Sequence, residues 1–159
     1  METKLKSKPR AAGIRAILEG DSAQNLLEFA LVAPIVLLLL VGAVEIGRLA
    51  YLGMLVKNAA RAGVQYGAQS LATAADNNGM QNAALNDGQN ITGLTAVASH
   101  FCTCADGSSS SCAAGDCPGS RRLVYVQVNT TGQFQPLIRC PGLPSLYILN
   151  GQAVLRVAQ

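Results

Sequence analysis

At 159 residues the chain has room for one ordinary domain, or for a membrane anchor with a small domain behind it. Half of it is apolar and 13% is charged, against about 25% charged in ordinary soluble domains. That excludes a disordered chain, which needs low hydropathy and high net charge. A formal net charge of +3 is too small for a nucleic-acid surface.

The first segment, residues 1–21, holds Lys4, Lys6, Lys8, Arg10 and Arg15 and reads as a basic cytoplasmic leader. Behind it, residues 22–75 read as one long helix. Asp21 and Gln24 stand at capping-box spacing at its start. From Phe29 to Val44 no residue is charged, and the flanking apolar residues extend the run to about 26–47. A helix needs about 20 residues to cross ~30 Å of hydrocarbon. A buried core helix would carry a polar face, and Leu37 to Val41 has none; a cleaved signal would end in small residues, and this run ends in Glu45-Ile-Gly-Arg48. The reading is therefore a retained transmembrane helix in a lipid bilayer. The excess of basic residues on its N-terminal side places that terminus in the cytoplasm.

Two carboxylates bracket the run. Glu28 and Glu45 are ~25 Å apart along a helix at 1.5 Å per residue, so they sit near opposite boundaries. Glu45 reaches Arg48 at i,i+3, and Arg48 can snorkel outward. Glu28 has no basic residue at i+3 or i+4. An unpaired carboxylate beside lipid is a functional candidate whose partner is a cation from another chain or a chain terminus. Pro34 lies inside the helix, where it can kink it. Beyond Arg48 a stripe of Ile46, Leu49, Gly53, Val56, Ala60, Gly63 and Gly67 follows helical spacing. It narrows to a Gly-x-x-x-Gly pair that allows close approach either to the chain's own domain or to a second subunit.

Residues 76–159 read as a small exocytoplasmic α+β domain. A short helix is expected from Met80 to about Asn86, then strands at Leu94–Phe101, Leu123–Val128 and Gln152–Val157 forming an antiparallel sheet. So small a core benefits from staples. Cys102, Cys104, Cys112 and Cys117 lie in a Ser/Gly/Asp loop at 102–117, and Cys140 follows. In an oxidising compartment these are disulfide candidates. Cys102 and Cys104 are too close to pair, and one or both reach Cys112 and Cys117; the odd fifth thiol is free or pairs between chains. Zinc is the rival reading, with His100 nearby, but Cys-x-Cys-x7-Cys-x4-Cys lacks the paired Cys-x2-Cys knuckles of common zinc modules. Asp106 and Asp116 read as solvated. Without a nucleophile motif or a phosphate loop, no enzyme, cofactor or metal site is expected.

Leu27-Glu28-Phe29-Ala30-Leu31-Val32-Ala33-Pro34, Gly42-Ala-Val-Glu45-Ile-Gly47-Arg48 and Asn58-Ala-Ala-Arg61-Ala-Gly63 resemble the signature of TadE-like proteins of the tight-adherence (Flp) pilus system. The resemblance extends through Val126-Gln-Val128, Phe134-Gln-Pro136-Leu137, Pro141-Gly-Leu-Pro144 and Ala153-Val-Leu-Arg156-Val157. It implies a single-pass bacterial inner-membrane protein with a pilin-like fold. Its partners would be other pilin-like subunits and the pilus assembly machinery, in a homo- or hetero-oligomer. Glu28, Pro34, Glu45, Arg48, Gly63 and Gly67 would then form the helix interface. Some members are cut by a prepilin peptidase after a Gly, with Glu at the fifth position of the product. Counted back from Glu28, the bond lies between Ala23 and Gln24, with Ala in place of Gly; counted from Gly20, Glu28 falls at the eighth position. The rival readings are a stand-alone anchored binding module that recognises through its disulfide-stapled loop, and a metal-binding periplasmic protein using the same thiols.

Overall fold

The computed structural model describes residues 21–138, 142 and 144–158. The basic leader and Cys140 lie outside them. The element order is α1 (Asp21–Gly67), α2 (Leu71–Ala75), α3 (Asn77–Asp87), β1 (Thr95–Cys104), β2 (Ser109–Ser110), β3 (Arg122–Phe134) and β4 (Tyr147–Arg156). The α+β expectation holds: one long, apolar helix precedes a small four-stranded antiparallel sheet.

Two compact units divide the chain at Val44 and Glu45. The described part of the first is helix alone. From Gln24 to Val44 nearly every residue is exposed, and the helix runs through Pro34 without interruption. No side chain is described for Asp21, so the capping-box expectation lies outside the described residues.

In the second unit the C-terminal half of α1 packs on the sheet. The strand order is β2-β1-β3-β4, with β3 central. Its register runs from Thr95↔Thr131 to Cys104↔Arg122 on one side and from Tyr125↔Arg156 to Phe134↔Tyr147 on the other. Alternation along β3 assigns its faces. Val124, Val126, Val128, Thr130, Gly132 and Phe134 are buried, while Tyr125, Gln127, Asn129 and Thr131 are only half-buried. The buried face meets Val56, Ala59, Ala60, Gly63 and Val64 of α1, with Met80 and Ala84 of α3 completing the core.

The small residues of the stripe set how closely α1 approaches. A Cβ on Gly63 would stand 2.8 Å from the Met80 carbonyl oxygen and 3.0 Å from a Val128 methyl, and one on Gly67 would overlap the Met80 side chain. Gly63 and Gly67 are therefore occupied by the chain's own domain, the intramolecular alternative. Further along, the Thr130 hydroxyl donates to the Val56 carbonyl at 2.7 Å. Gly151 lies opposite Thr130 in the register, where a Cβ would meet the Val56 backbone.

Three expectations on element bounds are corrected. The long helix ends at Gly67 rather than near Ala74. Ser70 starts a new turn, its Oγ accepting from the Thr73 amide while the Thr73 hydroxyl accepts from the Ser70 amide, a reciprocal cap. The short helix begins earlier, at Asn77, because Asp76 caps it through the Gly79 amide at 2.9 Å. The strands extend to Cys104 in β1, to Phe134 in β3 and back to Tyr147 in β4. Cross-strand pairing carries residues such as Asn129 and Asn150, which are poor strand formers alone. β2 is added at Ser109–Ser110 against β1.

Candidate functional site

Three separate regions are candidates: in the first unit the exposed helix, and in the second the Glu45–Arg48 pair and the cysteine loop.

Among the described residues one helix, Gln24–Gly67, is long and apolar enough to cross a membrane, and its most apolar window has no buried residue. Leu26, Leu27, Phe29, Leu31, Ile35 and Leu37 through Leu40 all stand exposed. Left in water, so continuous an apolar surface would drive association; in lipid it needs no partner. Glu28 is exposed on the same rod, as are Gln24 and Pro34. No hydrogen bond or ion pair to Glu28 occurs among the described residues. Ala23 and Gln24 lie within the helix, in its first turns.

Glu45 and Arg48 do meet, as their spacing implies, with an Arg48 guanidinium nitrogen 2.9 Å from Glu45 Oε1. The structure adds two partners that spacing does not reveal. The Leu137 amide donates to the same Glu45 oxygen at 3.0 Å, and the Arg48 guanidinium lies 5.5 Å above the Phe134 ring. Glu45 is 18% exposed, and its other oxygen, Oε2, is buried without a partner among the described residues. This residue therefore ties the segment after β3 to α1. Leu137 was out of reach of sequence reasoning because the contact spans 92 positions.

The cysteine loop is closed by two disulfides, Cys102–Cys112 and Cys104–Cys117. Cys102 and Cys104 both point to the buried face of β1, so adjacent same-face positions send parallel staples to the loop. The Asp116 carboxylate organises its interior. It accepts from the Ser111 hydroxyl and amide, the Ala113 amide and the Ser110 hydroxyl. These donors, the Ser111 hydroxyl first, hold its carboxyl below the usual range. Arg122 clamps the far side, donating to the Cys112 and Ala113 carbonyls at 2.8 and 3.0 Å. Asp106 likewise holds the Ser108 amide and hydroxyl and is shifted downward by them. Both aspartates are thus spent on loop backbone and hydroxyl groups. His100 is exposed on β1, and no cluster of three or more metal-ligating side chains occurs among the described residues. A shallow cleft lined by Leu71, Gly115, Asp116, Arg121 and Arg122 flanks the loop.

No curated protein and no solved structure matches the chain. The model of the family described as TadE-like protein matches residues 26–65, so the segment from the start of the exposed apolar rod to the glycine stripe docked on the sheet is similar to that family.

Proposed function

We propose that the chain is a membrane-anchored, pilin-related subunit or assembly factor of a tight-adherence pilus, working through helix–helix association. The TadE-like match implies involvement in assembly of that pilus. The observation that carries the finer reading is the exposed apolar rod from Leu26 to Val44, bearing an uncompensated carboxylate at Glu28. The rod anchors the chain once across the bacterial inner membrane. Its basic leader stays in the cytoplasm and the sheet domain lies outside, where two disulfides are chemically at home.

Within this reading the interface residues divide into two sets. Glu45, Arg48, Gly63 and Gly67 already have partners in their own domain. Glu28 and Pro34 are left for a neighbouring helix. A carboxylate in a low-dielectric helix bundle is tolerable when a cation neutralises it. That cation would be a neighbour's Lys or Arg, or the α-amine freed if the chain is cut between Ala23 and Gln24.

The test is Glu28→Ala in the native host, scored separately for membrane insertion and for pili. Insertion is expected to be normal and pili to be lost. Undiminished piliation would remove the assembly role of Glu28 and favour the stand-alone anchored binding module, with the disulfide-stapled loop from Cys102 to Cys117 as its recognition surface. Mass spectrometry of the native protein complements this: an N-terminus at Gln24 marks a processed pseudopilin, and an intact Met1 a permanent anchor.

A further inference from the structure

We propose that the stretches leaving β3 and entering β4 form a second, shallow contact with the lipid bilayer, made by Leu137, Ile138, Leu146 and Ile148. The proposal rests on reading the helix before Glu45 as a membrane span.

Those four branched apolar side chains are 74%, 49%, 39% and 67% exposed. All four lie within a few residues of the sheet end where Phe134 pairs with Tyr147. A small domain with a tight core elsewhere gains nothing by presenting four such side chains to water near one end of its sheet, and exposed apolar groups concentrated in one region mark a contact surface. The position of the patch identifies the contact. The Leu137 amide is held at 3.0 Å by Glu45, and Glu45 is the residue at which the charge-free run Phe29–Val44 ends. Arg48, paired with Glu45, covers Phe134. Leu137 is thus fastened to the residue that ends the charge-free run, with exposed Ile46 next to it in sequence.

Its chemistry agrees with that depth. Residues 135–146 contain no Asp or Glu, so nothing in them is repelled by anionic headgroups. Pro136 and Pro144 stand in irregular backbone, where proline cannot extend a helix. Irregular backbone has unpaired amides that the hydrocarbon core excludes but the headgroup region hydrates. The contact is therefore interfacial, with side chains dipping in and backbone remaining wet. Tyr51, exposed on α1, is the residue type that settles at this level.

The chain has no Trp, which makes single-Trp reporters clean. Full-length Leu137→Trp and Leu38→Trp are reconstituted separately into vesicles of phosphatidylcholine and phosphatidylglycerol. The vesicles carry bromine either high or deep on the acyl chain, and the protein-to-lipid ratio is varied. Leu137→Trp is expected to lose emission to the shallow bromines more than to the deep ones, at every ratio. Leu38→Trp should show the opposite depth order. If position 38 is quenched and position 137 is not, the loop contact is wrong while the anchor stands. If position 38 escapes both probes, the membrane span falls and takes this proposal with it. Shielding of position 137 that appears only at high protein density would give the patch to a second copy of the chain and overturn the lipid assignment. Ile138→Trp, at the neighbouring and also exposed position, repeats the reading should Leu137→Trp fold poorly.

Discussion

Glu45 shows how one side chain can belong to two arguments. Its pairing with Arg48 follows from helical spacing, whereas its grip on Leu137 depends on the whole domain. Gly63 and Gly53 make a sharper contrast. Both lie on the small-residue stripe, but a methyl at Gly53 meets nothing within 4 Å, and one at Gly63 meets Met80 and Val128. Gly63→Ala is expected to cost about 1–3 kcal/mol from overpacking. Gly53→Ala should instead gain roughly 0.5–1 kcal/mol from helix propensity. Thermal unfolding of both variants in detergent, followed by circular dichroism, reads the difference, and equal effects would contradict the docked geometry. Asp76 adds a pH dependence. The Gly79 amide first, and then the Tyr66 hydroxyl, hold its carboxyl below the ordinary 3.8. Ionised Asp76 therefore favours the folded state, a contribution present above that value and lost as pH falls through the depressed one. The same hydrogen bond raises Tyr66 above 10.0, so the phenol's share is present below 10.0 and disappears as pH climbs through the raised value. Asp76→Asn should flatten the acid limb of a stability-versus-pH curve, and an unchanged limb would refute the assignment.

Among the elements, α1 was readable because sixteen uncharged residues in a row admit few alternatives, whereas its end was not. Nothing in Ala68-Gln69 is a strong breaker, and the signal that was available, Ser70 three positions ahead of Thr73, is a cap only when both side chains turn back on the backbone. The strands were read short for a related reason. Thr130-Thr131-Gly132 and Asn150-Gly151 look like turns in isolation and become strand only opposite one another. The cysteine loop was legible as a framework but not in its connectivity, which depends on β2 setting Ser110 opposite Cys102 and so bringing Cys112 towards it. The Cys104–Cys117 bridge closes 13 residues, and a loop of that size is worth about 2–4 kcal/mol. Cys104→Ala combined with Cys117→Ala should lower thermal stability by that amount and open the loop to proteolysis between Ala105 and Asp116. Resistance equal to the parent's would show that the Asp116 and Arg122 hydrogen bonds suffice by themselves.

For the molecule as a whole, the division at Val44 and Glu45 separates a rod with no described tertiary contacts of its own from a domain with a closed core. The proposed sidedness rests on charge rather than on fold. In spheroplasts, externally added protease should remove the sheet domain and spare a cytoplasmic tag placed ahead of Lys4. Replacing Lys4, Lys6, Lys8, Arg10 and Arg15 with serine should scramble that orientation. Protection of the domain in intact spheroplasts would reverse the proposed topology.

The pairing of β3 with both neighbours also sets an order of events. β4 is made after every strand and helix it completes, and the Val157 and Ala158 amides then reach back to Val124 and Ala68. Until those residues are released from the ribosome, the middle strand has one bare flank and the helix one uncovered carbonyl. The nascent domain is thus left unfinished, and open to capture by a chaperone or a sibling chain, for as long as the stretch from Tyr147 to Ala158 is delayed.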